Sequence, residues 1–276
     1  MNYRHAFHAG NFADLVKHAA LMALLARMTG KGPPLTVVDT HAGAGLYDLA
    51  GGEAQRSGEA EAGVGRLLAA ADAPAPLAAL AKAVREANAG KDLRYYPGSP
   101  SLIARALRPR DRYLAFELRP EEHGALARTL RGRAGVETRC ADGFAAAASA
   151  MPASGPALVL IDPPFERADD YARTVRTVRA LLARNRQAVA MVWLPLKDLA
   201  TFDGFLSDLQ DAVGRTPILV AEARLRPLSD PMKMNGCALA IVQPPTDFAS
   251  PLQAICGWVA GSLGEKGASA RIWTPA

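Results

Sequence analysis

Residues 162–165, Asp-Pro-Pro-Phe, combine residue types that suit chemistry on a flat base carrying an amino group. The carboxylate of Asp162 and the carbonyl of Pro163 can both accept hydrogen bonds from one exocyclic amino group. Phe165 supplies a ring on which a base can stack, an interaction of about 1–3 kcal/mol. Pro163 disfavours helical backbone at Asp162, and two successive prolines stiffen the turn. The segment predicts a site acting on a base amino nitrogen; the alternative is a structural turn that ends a buried strand.

A glycine-containing loop at residues 39–45 is a second candidate ligand site. Glycines where a strand ends let the backbone approach a ligand closely, because no Cβ intervenes. The loop lacks the third glycine of the dinucleotide-binding fingerprint, which disfavours a nicotinamide oxidoreductase. The next acid at a strand end is Glu117, about 70 residues beyond Gly45. A carboxylate at that position commonly binds a ribose diol.

The elements that must position these residues follow from apolar runs rich in Val, Ile and Leu, which alternate with helical patterns. Strands are expected at residues 35–39, 112–117, 136–140, 157–162, 188–193, 218–223 and 238–242, and helices at 14–28, 101–107, 120–130, 171–183 and 199–213. The alternation predicts an α/β, doubly wound and mostly parallel sheet. The short connection 226–236 has no room for a crossover helix, so the last two strands should form an antiparallel hairpin at the sheet edge.

Residues 46–97 interrupt this alternation. They are rich in Ala, Gly and Glu, and they predict two short helices, at about 58–71 and 76–89. We therefore expect one catalytic domain, residues 1–45 and 98–276, with an inserted helical subdomain at 46–97. The insertion carries seven acidic and six basic residues, so the basic excess lies in the rest of the chain.

Composition sets broader limits. Of 276 residues, 50% are hydrophobic and 21% are charged, enough apolar material for a sizeable core. No apolar stretch is long enough to span a membrane, and the polar first residues predict no secretory signal. Cys140, Cys237 and Cys256 lie far apart, which disfavours a disulfide framework and a zinc ribbon and favours the cytoplasm.

The net charge is +5, with 25 Arg against 7 Lys. Arginine suits phosphate recognition, although a genome rich in G and C would enrich it too. A cluster follows the Asp-Pro-Pro-Phe segment, at Arg167, Arg173, Arg176, Arg179, Arg184 and Arg186. It predicts either a phosphate-binding strip or a solvated helix face paired to Asp169 and Asp170.

The order of the glycine loop, Glu117, the segment Cys-Ala-Asp-Gly at 140–143 and Asp-Pro-Pro-Phe resembles that of class I S-adenosylmethionine-dependent methyltransferases. The resemblance becomes more specific with a second set of motifs, at residues 3–11 and 96–100 and at Asp14, Lys17 and His18. With them the chain looks like the bacterial family that methylates N6 of an adenine in 23S ribosomal RNA, the adenine(2030)-N6 type. The resemblance runs from about residue 3 to residue 245 and implies a Rossmann-like fold with S-adenosylmethionine as cofactor.

Carried over by position, the resemblance also implies roles for individual residues. The residues expected around the cofactor are Lys17, His18, His41, Gly43, Ser99, Glu117, Asp142, Gly143 and Asp162. Among them, Glu117 would bind the ribose and Asp142 the adenine amino group. The catalytic segment would comprise Asp162, Pro163 and Phe165, and the residues closing over the substrate base would be Tyr3, Arg4 and His5.

One departure concerns Phe165, because the adenine-N6 family commonly has tyrosine there. Asp-Pro-Pro-Phe also occurs in guanine-N2 ribosomal RNA methylases, so that activity and adenine-N6 methylation of DNA are alternatives. A non-catalytic RNA-binding module is a more distant one. The expected partner is 23S ribosomal RNA, naked or in early assembly, with no membrane, no metal and a monomeric enzyme.

Overall fold

The computed structural model describes residues 8–30, 32–51, 58–229 and 234–275. Its strands fall into an eight-stranded sheet and a two-stranded one. In chain order they are β1 (Thr36–Asp39), β2 (Leu46–Asp48), β3 (Tyr95–Pro97), β4 (Arg112–Glu117), β5 (Val136–Cys140), β6 (Ala157–Ile161), β7 (Ala188–Leu196), β8 (Ile218–Arg224), β9 (Gly236–Val242) and β10 (Ser269–Trp273).

The helices lie between these strands. They are α1 (Phe12–Met28), α2 (Arg66–Ala69), α3 (Ala75–Ala87), α4 (Ser99–Ala106), α5 (Pro120–Thr129), α6 (Gly143–Ala150), α7 (Asp170–Arg184), α8 (Leu199–Val213) and α9 (Ala249–Leu263). A π-helical turn, Glu61–Gly65, leads directly into α2. No helix among the described residues is long and apolar enough to cross a membrane.

The large sheet has the strand order β10-β8-β9-β7-β6-β1-β4-β5. The pairs β1–β4, β4–β5, β1–β6 and β6–β7 are parallel, which confirms the expected mostly parallel, doubly wound sheet. The chain order reverses between β1 and β6. In open α/β sheets the ligand crevice lies outside the carboxyl ends of the strands at such a switch point. Asp39 and the segment after Ile161 therefore flank the expected crevice.

Both faces of the sheet are buried, because helices cover each of them. Successive strand residues point to opposite faces. Val37 packs into the core on one face, which α1 and α9 cover. Its neighbour Val38 packs into the core on the other face, which α6, α7 and α8 cover. Continuous apolar strands follow from this arrangement, and they are the pattern from which the fold was predicted.

The predicted antiparallel hairpin is confirmed, but its position at the sheet edge is wrong. Strand β9 pairs antiparallel with both β7 and β8, so it lies inside the sheet. Strand β10, which no sequence pattern indicated, pairs with β8 and forms the edge. Its five residues are half-buried or exposed, and an apolar run is absent there. The indole N–H of Trp273 donates to the buried carboxylate of Glu222 at 2.7 Å and anchors the strand.

Residues 46–97 form the two expected helical segments and also an unpredicted two-stranded sheet, β2 with β3. Their apolar side chains Leu67, Leu77 and Leu80 are fully buried and belong to the core that also contains α1. A polar contact joins the same two regions, because the Glu59 carboxylate accepts hydrogen bonds from Asn11 Nδ2 at 2.9 Å and from the His8 ring at 3.0 Å. This segment thus packs against the start of α1.

Candidate active site

Asp162 directly follows β6 and holds a buried lysine. Lys17 Nζ lies 2.6 Å from Asp162 Oδ2 and 2.9 Å from Asp14 Oδ1. The side chains of Lys17 and Asp14 are 5% and 3% exposed, whereas that of Asp162 is 14% exposed. Within the part of the chain that is described, Asp162 Oδ1 accepts no hydrogen bond. One oxygen of Asp162 is therefore fixed by a cation and the other is open to a ligand.

Helix α1 places Lys17 through local geometry. The side chain of Asn11 caps the helix by accepting hydrogen bonds from the backbone N–H groups of Ala13 and Asp14. Asp14 Oδ2 in turn accepts the N–H of Gly10 at 2.9 Å. Because residues three apart share a helix face, Asp14 also reaches Lys17 and holds it against Asp162.

His18, the next residue of α1, faces the neighbouring strand β3. Its ring Nδ1 lies 2.8 Å from the hydroxyl of Tyr96, and both side chains are buried. His18 therefore lies next to Lys17 and is held by Tyr96, the first residue of the motif at 96–100. Its role at the cofactor stays a prediction.

The glycine loop after β1 bends where only glycine fits easily. Gly43 has φ +63°, and a Cβ there would clash with the hydroxyl of Tyr47. Its N–H donates to Glu117 Oε2 at 2.9 Å, and the N–H of Arg119 donates to Oε1 at 2.8 Å. The loop and the carboxyl end of β4 are therefore joined through the Glu117 carboxylate.

Asp39, the last residue of β1, is fully buried beneath this loop. Its carboxylate accepts hydrogen bonds from Ser99 Oγ at 2.9 Å, from the hydroxyl of Tyr113 at 3.2 Å and from the N–H of His41 at 3.2 Å. Burial raises the pKa of Asp39 to about 7, against the lowering effect of the Ser99 hydrogen bond. Asp39 was not named as an individual site residue, although an acidic residue at the end of a buried strand indicates a position near the ligand crevice. It fixes Ser99, which was predicted, at the start of α4.

His41 lies on the other side of the loop. Burial lowers the pKa of its imidazole to about 4, so the ring is neutral near pH 7. The ring packs edge-on against Phe144, with centroids 4.5 Å apart, and its Nδ1 lies 2.7 Å from Thr40 Oγ1. Gly143 lies against the backbone of Thr40, the residue before His41, and a Cβ at Gly143 would clash with the Thr40 carbonyl.

Asp142 caps α6 by accepting the N–H of Phe144 at 3.0 Å. The guanidinium of Arg173 forms an ion pair with Asp142 and also lies 4.5 Å from the centroid of the Phe144 ring. The contacts of Arg173 with Asp142 and with the Phe144 ring were not predicted, since each joins residues about 30 positions apart. They enclose the predicted residues Asp142 and His41.

Phe165 takes a left-handed backbone conformation, φ +50°, which is uncommon outside glycine. Its ring packs against Tyr171 at 4.5 Å and Trp193 at 6.2 Å between centroids and is 8% exposed. The turn thus directs Phe165 into the core beside α7 and leaves a small part of the ring open. The predicted substrate-binding residues Tyr3, Arg4 and His5 lie outside the described residues.

The arrangement fits a nucleoside-bearing methyl donor. The Glu117 carboxylate and the Cβ-free bend at Gly43 lie together, which suits a ribose diol and a close backbone contact. Leu118 follows Glu117 and is 61% exposed, so it offers apolar surface beside that carboxylate. Across the switch point, Asp162 Oδ1 accepts no hydrogen bond from the described residues and is available to a ligand.

Comparisons with known proteins find a matching family model, similar sequences and a similar solved structure. Residues 32–275 match the family model described as "Ribosomal RNA large subunit methyltransferase D, RlmJ". The chain is 33% identical to ribosomal RNA large subunit methyltransferase J of Haemophilus influenzae, over 99% of this chain and 97% of that protein. It is 32% identical to the Escherichia coli protein of the same name, over 95% and 94% of the two chains. A solved Legionella pneumophila structure superposes with a TM-score of 0.88 at 27% identity, covering 98% of this chain and 99% of that one.

Proposed function

The chain belongs to the family of ribosomal RNA large subunit methyltransferase J, and from this premise we propose how its residues methylate N6 of an adenine in 23S ribosomal RNA. The observation that carries the proposal is the Asp162 carboxylate. It lies at the carboxyl end of β6, with one oxygen held by buried Lys17 and the other free to accept a hydrogen bond.

S-adenosylmethionine supplies an electrophilic methyl group on its sulfonium. The residues that would hold it surround the glycine loop. The Glu117 carboxylate would accept hydrogen bonds from the ribose hydroxyls, and Gly43 would allow close backbone approach. Asp142 would accept a hydrogen bond from the adenine amino group. The wall of this site would be completed by Ser99, His41, Gly143, Lys17 and His18.

The target nitrogen needs activation, because its lone pair is delocalised into the purine ring. Asp162 Oδ1 and the Pro163 carbonyl accept hydrogen bonds from its two N–H groups. These bonds favour a tetrahedral nitrogen whose lone pair is localised and can form the new N–C bond. Lys17 contributes by holding Oδ2, so the carboxylate is oriented before the base arrives. Such positioning and electrostatic preorganisation are the main sources of rate in this chemistry.

As the nitrogen bonds to the methyl carbon, the bond from that carbon to sulfur would break and its electron pair would stay on the sulfur, so that S-adenosylhomocysteine is the leaving group. The nitrogen also loses one proton, which passes to the Asp162 carboxylate or to water. The adenine must leave its stack to reach the carboxylate, as in other base-modifying enzymes. Phe165 contributes the exposed part of its ring to the base pocket, and Tyr3, Arg4 and His5 close over the base. Residues 46–97 act as an insertion in a single catalytic domain, residues 1–45 and 98–276. The enzyme acts as a monomer on naked or early-assembly RNA in the cytoplasm, without a metal.

The test is to incubate the purified protein with labelled S-adenosylmethionine and unmodified 23S RNA, with DNA of matched sequence as the control substrate. Mapping of the modified nucleotide should find N6-methyladenosine at one adenine of the RNA and no label in DNA. Label on a guanine N2 would support the guanine alternative and overturn the adenine assignment. Label found only in DNA or in protein would overturn the proposal altogether.

A further inference from the structure

Helix α7 presents arginine to solvent without acidic partners. The arginine cluster after Phe165 divides into two groups in the structure. Arg173 faces inward to Asp142, and Arg167 pairs with Asp169 at 3.0 Å. Arg176 and Arg179 are exposed, and within the described ranges they make no ion pair and no side-chain hydrogen bond. Arg184, one turn beyond, is exposed and donates from Nε to the Met151 carbonyl. We call Arg176, Arg179 and Arg184 the α7 arginine face.

Neighbouring helix α8 has the opposite charge. Its exposed ionisable side chains are Asp203, Asp208 and Asp211, and α8 packs alongside α7. Some other surface arginines are paired, for example Arg94 with Asp48 and Arg139 with Glu137, whereas Arg131 and Arg133 make no ion pair within the described residues. Like charges three residues apart on a helix repel by a few tenths of a kcal/mol. The α7 arginine face therefore keeps an unneutralised positive charge beside an equally unneutralised acidic helix.

The location of this face connects it to the site. Helix α7 begins at Asp170, five residues after Phe165, and Arg173 in its first turn already contacts Asp142. From there the helix runs back along the sheet for 15 residues, about 22 Å at 1.5 Å per residue. The part from Arg176 to Arg184 is about 12 Å long at 1.5 Å per residue, which can follow two or three consecutive phosphates of a nucleic acid strand. Guanidinium groups bind phosphate oxygens through two parallel hydrogen bonds, so this residue type suits that ligand.

We propose that the α7 arginine face docks the phosphate backbone of the RNA strand that flanks the target base, while the acidic face of α8 repels the strand and fixes the side on which it lies. This inference rests on the proposed function and extends it from the target base to the flanking strand. Phosphate contacts position a nucleic acid without reading its sequence, and their contribution weakens as salt rises.

The variant that tests it is Arg176→Ala with Arg179→Ala. The control is Arg131→Ala with Arg133→Ala, between the end of α5 and the start of β5, at the amino end of that strand and far from Asp162. Both pairs are exposed and both remove two positive charges, so general attraction of RNA changes equally. Thermal unfolding of each variant checks that the fold is retained.

Methyl transfer is measured against RNA concentration at several salt concentrations. We expect the α7 variant to raise KM about tenfold with kcat unchanged, and to lower the slope of log KM against log salt by about 1–2, since each phosphate contact contributes about 1. The control should stay within about twofold of wild type. Arg176→Lys with Arg179→Lys should recover most of the loss.

Equal effects of both variant pairs, or no effect of the α7 pair, would overturn the docking surface. A fall in kcat at saturating RNA would also overturn it, because the helix would then act on the site itself. Binding of a labelled 23S fragment to wild type and variants, without cofactor, keeps the two proposals separate. If wild type fails to methylate RNA, the proposed function fails; if it methylates and the α7 variant binds RNA normally, only the docking surface fails.

Discussion

Two aspartates that are both shielded from solvent lie at opposite ends of the parallel sheet and have opposite electrostatic character. Asp39 ends β1 at the carboxyl end, and Asp111 directly precedes β4 at the amino end. Their exposed fractions are 0% and 1%. Burial raises the pKa of Asp39 to about 7. At Asp111 burial also acts to raise the pKa, but the hydrogen bonds from Arg108 and from backbone N–H groups outweigh it and lower the pKa.

The difference lies in depth and in the donors, since Asp39 is enclosed by protein whereas Asp111 lies just beneath the surface. Asp111 accepts the backbone N–H groups of Leu35 and Arg108, each at 2.8 Å, and the Arg108 guanidinium. Arg108 also donates to the carbonyls of Gly32 and Pro33, so the pair joins the loop after α1 to β4. Asp39 instead accepts two neutral hydroxyls and one backbone N–H, and no cation donates to it within the described residues, so its charge is poorly compensated. We therefore interpret Asp111, which a guanidinium and backbone amides surround, as a structural carboxylate. We interpret Asp39, which holds Ser99, as a carboxylate that supports the site.

Asp111→Ala should have the largest effect on stability, about 1–3 kcal/mol, because it leaves the buried N–H of Leu35 without an acceptor and removes the carboxylate partner of Arg108. Urea unfolding at pH 7 measures this loss. Because the folded pKa of Asp111 is lowered, its contribution is present above pH 4 and is lost as pH falls through the folded value. The difference between wild type and variant should therefore shrink in acid. A variant of normal stability, or one with reduced methyl transfer per folded molecule, would contradict the structural role.

Glu117 sharpens the comparison, because it resembles Asp111 in its donors and Asp39 in its position. It accepts two backbone N–H groups, yet it ends β4 at the carboxyl end of the sheet. If position decides, Glu117→Gln should weaken S-adenosylmethionine binding about 10–150-fold, since a hydrogen bond to a charged group contributes about 1.5–3 kcal/mol. Isothermal titration calorimetry measures it, with exposed Glu121→Gln on α5 as the control. Lost stability with unchanged cofactor affinity would instead place Glu117 with Asp111.

Asp39→Asn should have the smallest effect, visible in the pH dependence of stability. The raised pKa means that the folded state binds this proton more tightly than the unfolded state. Wild-type stability therefore falls as pH rises from about 4 to about 7, to the extent that Asp39 contributes. The variant should lose that component, so its unfolding free energy relative to wild type improves from pH 5 to pH 8. A constant difference over that range would show that Asp39 does not titrate there.

Much of this architecture was predictable because it is written in local patterns. The runs at 157–161 and 188–193 are apolar throughout, as strands buried on both faces must be, and Asp162 and Glu117 follow such runs directly. An acidic residue at the carboxyl end of a parallel strand lies where open α/β sheets bind their ligands. The start of α1 at Phe12 was missed by two residues, because the Asn11 cap and not the apolar pattern sets it.

The rest depends on contacts between distant residues. Lys17 reaches Asp162 across 145 positions, and nothing in either local sequence indicates the pairing itself. Phe165 suits base stacking by residue type, yet its left-handed backbone turns the ring toward Tyr171 and Trp193. Strand β10 is short and half exposed, so it has no apolar signature. Such features depend on tertiary packing and cannot be predicted from the hydrophobic periodicity or the motifs of the sequence.

The most direct test of the account is methyl transfer by Asp162→Asn, measured with cofactor affinity in the same preparation. Lys17 keeps Asp14 as its partner in this variant, so the fold and S-adenosylmethionine binding should stay close to wild type. The account predicts a fall of about 10²–10³-fold in the single-turnover rate on 23S RNA, the loss typical of removing a preorganised stabilising group. A rate within tenfold of wild type, at the same nucleotide, would contradict the central role of Asp162.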